Sequence, residues 1–260
     1  MAELRRPLAL ITGGSSGIGY ELAVLFAKDG YDLVIVAAKK EGLDKASSSL
    51  ALFGADVRAI AMDLSDPGSA DRLFSLLRGT DVDVLVNNAG FGLFGSFHET
   101  DLGREVQMMN LNMVSLTKLT KLFLKGMMAR RDGMILNIAS TAAFQPGPLM
   151  AVYYATKAYV LSFSEALSVE LEGTGVSVTA LCPGPTDSGF QKRARMEGSK
   201  IIRGRLGSPA EVAKAGYDAM MEGRTIVIPG LRNKLLAYSV RLAPRKMVAR
   251  IVRNMQERKK

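Results

Sequence analysis

The chain of 260 residues has one cysteine, one histidine, no tryptophan and only 9 prolines. Cys182, alone, forms no intramolecular disulfide, which excludes a disulfide-stapled secreted scaffold. His98, in Gly-Ser-Phe-His-Glu-Thr before a helix, reads as a surface or capping residue, and no metal centre is expected. No run approaches the roughly 20 uninterrupted apolar residues of a membrane-spanning helix. The start, Met-Ala-Glu-Leu-Arg-Arg-Pro, lacks the apolar stretch of a secretory signal. Together these absences predict an intracellular, reducing compartment, the cytoplasm. Hydrophobic residues are not scarce: at 48% they rule against disorder, and the length suits one α/β domain.

Net positive charge is lacking everywhere except at the end. Residues 232–260 hold ten Lys or Arg and one acid, Glu257, while residues 1–231 hold 24 basic and 24 acidic side chains. The net +9 is therefore a tail property. That excludes a nucleic-acid-binding surface spread over the domain and directs any electrostatic role to the last thirty or so residues.

Short apolar runs alternate with helical patterns. Strands are expected at Leu8–Thr12, Asp32–Ala37, Val57–Ala61, Val82–Val86, Gly133–Ile138, Val176–Leu181 and, as an edge, Thr225–Pro229. Helices are expected over Tyr20–Lys28, Glu41–Leu52, from Ser65-Asp66-Pro67 onward, over Leu102–Met113 and Ser115–Arg130, and up to Leu171. Ser208-Pro209-Ala210-Glu211 is a capping box with proline at the first helical position, so a further helix runs from there to about Glu222. Mostly apolar strands of five or six residues between helices imply a parallel sheet covered on both faces, with ligands beyond the carboxyl ends of its strands.

The chemistry-bearing residues fall at those ends. Thr12-Gly-Gly-Ser-Ser-Gly-Ile-Gly19 follows the first strand and opens a helix, the context of a dinucleotide phosphate site. Gly13 and Gly19 let the backbone turn and pack, Gly17 removes a side chain where pyrophosphate approaches, and the helix start at Ser15, Ser16 and Ile18 offers free amides. Tyr153 and Lys157 stand four residues apart, on one helix face, and thirteen residues after Ser140. An ammonium beside a phenol favours phenolate, which predicts a tyrosine pKa drawn below about 10. Tyr154, three residues from Lys157, reads as packing or substrate contact.

This ordered set, with Asn87-Asn88-Ala89-Gly90, resembles the classical short-chain dehydrogenase/reductase family from about Leu8 to Pro229. The likeness implies a doubly wound Rossmann fold with a seven-stranded parallel sheet, a single domain over 1–230, and a 231–260 extension. It also implies an NAD or NADP cofactor and catalysis by Ser140, Tyr153 and Lys157. By the same likeness Asp63 and Leu64 contact adenine, Asn87, Ala89 and Gly90 line the adenosine side, and Ile138 lies beneath the nicotinamide. Pro183, Gly184 and Thr186 hold its carboxamide, with Ser188 as the alternative hydroxyl. The family's fourth catalytic member, an asparagine anchoring a water relay to the lysine, is expected at Asn110, 23 residues after Asn87. Asn112, two residues on, is expected to face another side of the helix.

The second strand ends in Val36-Ala37-Ala38-Lys39-Lys40 without the acid that binds the ribose diol of NAD, so NADP(H) is preferred through Lys39, with NAD(H) as the alternative. Phe91, Phe94, Phe144, Pro146, Leu149, Met150 and Phe190 suggest an apolar pocket for a hydrophobic ketone or secondary alcohol. The loop from Gly189 to Arg205, with Lys192, Arg193 and Arg195, is expected to close over the substrate. In the tail, Met247, Val248, Ile251, Val252 and Met255 form one face of an amphipathic helix. That face suits packing on its own domain, a subunit contact in a homo-dimer or homo-tetramer, or peripheral contact with an anionic membrane. The function expected is a carbonyl reductase or alcohol dehydrogenase. The alternative is a cofactor-binding regulatory protein with little turnover.

Overall fold

Seven short strands, the central ones largely buried, form one parallel sheet: β1 Leu8–Thr12, β2 Asp32–Ala37, β3 Val57–Ala61, β4 Val84–Asn87, β5 Gly133–Ile138, β6 Val176–Leu181 and β7 Ile226–Val227. In this computed structural model, which describes residues 5–196, 198–200 and 206–257, the strand order is β3-β2-β1-β4-β5-β6-β7. The order reverses between β1 and β4, so their carboxyl ends diverge and leave a crevice, the usual ligand position in such sheets.

Alternation along β1 divides the core. Ala9 and Ile11 face a layer built with Leu22 and Phe26 of α1 (Gly17–Lys28), Leu43 and Leu50 of α2 (Lys40–Ala51), and Tyr217 and Met220 of a later helix. Leu10 points the other way, to Leu73 of α3 (Ser69–Leu76) and to Leu119, Phe123 and Met127. A period of two in the strand thus fills both faces of the sheet at once.

The remaining helices are α4 (Leu102–Met109), α5 (Leu116–Arg130), α6 (Ala151–Glu170), α7 (Phe190–Arg193), α8 (Pro209–Met221), α9 (Leu231–Ser239) and α10 (Arg245–Gln256). As its capping box predicts, α8 begins with Ser208 accepting from the Glu211 amide. Three expectations are corrected. The helix assigned to Ser65-Asp66-Pro67 starts only at Ser69, after Gly68 at φ 78. Asp63 instead accepts both the amide (2.8 Å) and the hydroxyl (2.7 Å) of Ser65, closing a turn. The helix expected through Met113 passes into a π-helical segment over Asn110–Ser115 that joins α4 to α5. The tail carries α9 as well as the expected amphipathic helix.

That helix, α10, folds back on the domain. Val248 and Val252 are buried in a cluster with Met108, Met150, Tyr153 and Tyr154. Met247, Ile251 and Met255 lie outward, 53%, 46% and 44% exposed.

Candidate active site

The turn after β1 is shaped by two backbone requirements. Gly13 and Gly17 adopt φ 67 and 57, a region L side chains rarely enter. A Cβ on Gly13 would lie 2.6 Å from Asn88 Nδ2. Asn88 fixes this turn: its Nδ2 donates to the carbonyls of Thr12 (2.9 Å) and Gly13 (3.1 Å). Thr12 Oγ1 in turn accepts from the amides of Asn88 and Ala89, each at 3.0 Å. The ends of β1 and β4 are thereby tied together just below the crevice.

A cleft of about 890 Å³ opens above them, lined by Gly13, Ser15, Ser16, Gly17 and Ile18 of the turn and by Lys39, Asp63, Leu64, Ala89 and Gly90. Ile138, Ser140, Tyr153, Lys157, Pro183, Gly184 and Thr186 complete its far wall. Ser16 is the N-cap of α1 and makes no side-chain capping bond, and no acid occupies the first turn. The helix therefore presents amides and its positive end to an anion. These residues fit a nicotinamide dinucleotide, whose phosphates the amides at the start of α1 would hold.

Two of the expected site residues have other work. Asn87 does not line the cleft. It is the last residue of β4, its side chain points into the sheet, and its Nδ2 donates to Thr120 Oγ1 (3.0 Å) and Asn137 Oδ1 (2.9 Å). Gly19 likewise lies below the cleft, where a Cβ would sit 2.4 Å from the Gly13 carbonyl oxygen; its lack of a side chain serves packing of α1 on the turn.

Asn110 is corrected too. The side chain that reaches the site region is that of Asn112, buried, with Oδ1 accepting from the Phe91 amide (3.2 Å). Its Nδ2 donates to the Phe91 carbonyl (3.0 Å) and to Thr156 Oγ1 (3.1 Å), beside Lys157. The π-helical turn is wider than an α turn, so the face reached at this point differs from that counted at 3.6 residues per turn.

Tyr153 and Lys157 share the inner face of α6. Lys157 Nζ lies 5.9 Å from the centre of the Tyr153 ring and donates to the Ile138 carbonyl at 2.7 Å. Burial dominates both groups. It pushes the Tyr153 phenol up, opposed by a hydrogen bond with Ser140, and it lowers the Lys157 ammonium to about 8. The phenol is thus raised rather than depressed as expected: burial, with a smaller contribution from Tyr154, outweighs the Ser140 hydrogen bond. Burial favours the neutral phenol. Ser140 caps the turn Thr141–Phe144, accepting from the Ala142 amide at 3.0 Å.

At the end of β2, Lys39 lines the cleft while Lys40 pairs with Asp44 at 2.7 Å. Glu41 also lines this end. At the substrate end Phe91, Met150 and Phe190 line the cleft, and Phe190 packs on the Tyr153 ring with centres 5.2 Å apart. Phe144 turns away to Tyr238. The loop after β6 bends over the site: Thr186 Oγ1 donates to the Gly184 carbonyl at 2.9 Å, and Ala194 and Met196 are buried beside Tyr153. Residues 197 and 201–205 of the expected lid lie outside the described residues. His98 is exposed near Glu99, as a surface residue should be. Residues that sequence reasoning passed over include Asn88, whose place in Asn-Asn-Ala-Gly was the available signal, and Gln256, which no motif marks.

The family model for short chain dehydrogenase matches residues 7–198. Ketoacyl reductase HetN of Nostoc sp. is 31% identical over 231 residues, 88% of this chain and 80% of that protein. The very-long-chain 3-oxoacyl-CoA reductase of Rattus norvegicus is 36% identical over 182 residues, 67% of this chain, and the chain spans only 58% of that protein's length. Among solved structures, a short-chain dehydrogenase from Sphingobium yanoikuyae in complex with NADPH superposes with a TM-score of 0.82 at 32% identity, covering 90% of this chain and 94% of that one. The sheet order, the cleft at its switch point and the match over most of the chain lead to one conclusion: the protein belongs to the short-chain dehydrogenase/reductase family of NAD(P)-dependent oxidoreductases, which act on alcohol and keto groups.

Proposed function

We propose that the chain is a carbonyl reductase and alcohol dehydrogenase for hydrophobic ketones and secondary alcohols, with Tyr153 as general acid and base. The observation that carries this reading is the convergence of Ser140, Tyr153 and Lys157 on one wall of the cleft. Bound nicotinamide would supply or accept the hydride. Tyr153 gives its proton to the carbonyl oxygen in reduction and recovers it in oxidation. Ser140 hydrogen-bonds the same oxygen and stabilises the charge that develops there. Lys157 holds the nicotinamide ribose, and its charge, when present, favours the ionised tyrosine. Asn112, bonded to Phe91 and Thr156, takes the anchoring role first assigned to Asn110. Pro183, Gly184 and Thr186 hold the carboxamide.

NADP(H) is the preferred cofactor on the strength of Lys39 at the cleft and the absence of an acid in Val36-Ala37-Ala38; Glu41 is the group that would favour NAD(H) instead. The apolar lining of Phe91, Met150 and Phe190 supports hydrophobic substrates, in keeping with the ketoacyl and 3-oxoacyl names of the two relatives. Residues 1–230 would form the catalytic domain and 231–260 an extension that covers it. We assign the protein to the cytoplasm, as a dimer or tetramer through the helices after β4 and β5, where Val106 of α4 and Val114 of the π-helical segment are exposed. The outward stripe of α10 makes peripheral contact with anionic membranes.

The test is NADPH oxidation against ketones of graded chain length. Turnover that rises with chain length is expected. NADPH binding without oxidation across the whole panel would favour the regulatory reading.

A further inference from the structure

Gln256, the last residue of α10, reaches the cleft from beyond the sheet and its crossovers. It lines the same cleft as Ser140 and Tyr153, although its side chain is 1% exposed. Its Nε2 donates to the Tyr154 hydroxyl at 2.7 Å. Its Oε1, buried at the wall of the cleft, has no hydrogen-bond partner among the described residues. An amide oxygen buried with nothing to accept from is uncommon, because burial has removed its water and returned nothing. Met150, Met196 and Val252 belong with Tyr154 to one buried apolar cluster.

The position is fixed from both sides. Ser199 Oγ donates to the Gln256 carbonyl at 2.9 Å, and the Lys200 amide donates to the Glu257 carbonyl at 3.3 Å. The end of α10 and the segment following α7 therefore form one wall. Tyr154 Oη accepts from Gln256, so its own proton is left to donate, and burial pushes that phenol up to about 12. An unpaired acceptor next to an available donor is the complement of one group above others: a hydroxyl, which gives one hydrogen bond and receives another. A cation is disfavoured, since Lys192 and Arg193 are among the residues that line the cleft.

We propose that Gln256, with Tyr154, is a specificity-determining pair that binds a hydroxyl carried by the substrate away from its reacting carbonyl, so that the cleft selects hydroxylated hydrophobic ketones over plain ones. This rests on the reading of the cleft as a ketone site.

The test compares 2-alkanones of graded length with their ω-hydroxy counterparts, using NADPH, for the wild type, Gln256→Met and Gln256→Glu. In the wild type, kcat/KM for the hydroxylated ketone of best length should exceed that of its plain partner by about tenfold, mostly through KM. Gln256→Met, similar in shape but without an acceptor, should bring that ratio close to one. Gln256→Glu, which keeps an acceptor, should restore most of it. A damaged fold would change both substrates alike and leave the ratio intact. Wild-type turnover of both series with equal kcat/KM, or an unchanged ratio in Gln256→Met, overturns this inference while the reductase reading stands. No oxidation of NADPH with any ketone overturns both.

Discussion

At the residue scale, Tyr153 is under opposed influences: burial and, less, Tyr154 resist ionisation, a Ser140 hydrogen bond favours it, and burial is the largest. A phenol in that state donates a proton well and loses it only when a partner compensates. Replacing Tyr153 with Phe removes the proton and little volume, so kcat should fall by at least about 10²-fold while NADPH still quenches or shifts its fluorescence on binding. Unchanged turnover would remove tyrosine from the mechanism. Lys157 gives a pH prediction with a definite sign. Its folded value, about 8, lies below its ordinary 10.5, so between these the unfolded chain binds more protons and the lysine's contribution to stability rises with pH. The full contribution is present above 10.5, and it is lost as pH falls to about 8. Cys182, pushed up to about 12 by burial, opposes this above its ordinary value in any variant that keeps it. The informative quantity is therefore a difference. From pH 8 to about pH 9.5, stability of the wild type relative to Lys157→Met should grow by about 1.5 kcal/mol in urea titrations. A flat difference would mean that the buried amine keeps its ordinary basicity.

At the scale of elements, the π-helical segment Asn110–Ser115 holds Asn112 buried against the Phe91 loop. Asn112 makes three hydrogen bonds that join this segment to the Phe91 loop and to α6. Asn112→Ala should leave the Phe91 amide and carbonyl unpaired and cost roughly 2 to 3 kcal/mol of stability, with a loss of activity. Asn110→Ala should stay within about 0.5 kcal/mol of the wild type. The reverse order in chemical denaturation would return the role to Asn110. The strands were legible because a sheet buried on both faces needs nearly continuous apolar runs. The glycine turn and Tyr153-x-x-x-Lys157 were legible because each follows a local geometric rule. Asn112 was not, since counting at 3.6 residues per turn fails where the hydrogen-bond ladder widens. Asn87 was misplaced for a related reason: it completes β4, where pairing with Asn137 on β5, far away in sequence, sets where its side chain is used. Gln256 had no local signal at all; only the folding of α10 onto α6 brings it to the cleft.

At the scale of the whole molecule, a neutral body carries a cationic end. Residues 1–231 sum to zero and residues 232–260 to +9, and the structure shows how α10 is divided. Val248, Val252 and Gln256 face the domain and are buried; Met247, Ile251 and Met255 face outward, with Leu235 and Leu236 of α9 also exposed. No helix among the described residues is long and apolar enough to cross a membrane. A stripe of half-exposed apolar side chains flanked by Arg245, Lys246, Arg250 and Arg253 suits the interface of an anionic bilayer, where buried apolar area and lysine or arginine charge add, the latter at about 1 kcal/mol each. The full chain should therefore sediment with phosphatidylserine-containing vesicles at low salt, much less with neutral ones, and release as salt shortens the screening length. Substituting serine at Met247, Ile251 and Met255 together should reduce the pelleted fraction several-fold at constant charge, with the thermal midpoint little changed because these side chains lie outside the core. Equal pelleting of wild type and triple variant on anionic vesicles would make the attraction purely electrostatic, and no pelleting of either, with the wild-type mass twice that of the variant in solution, would give the stripe to a second copy of the chain.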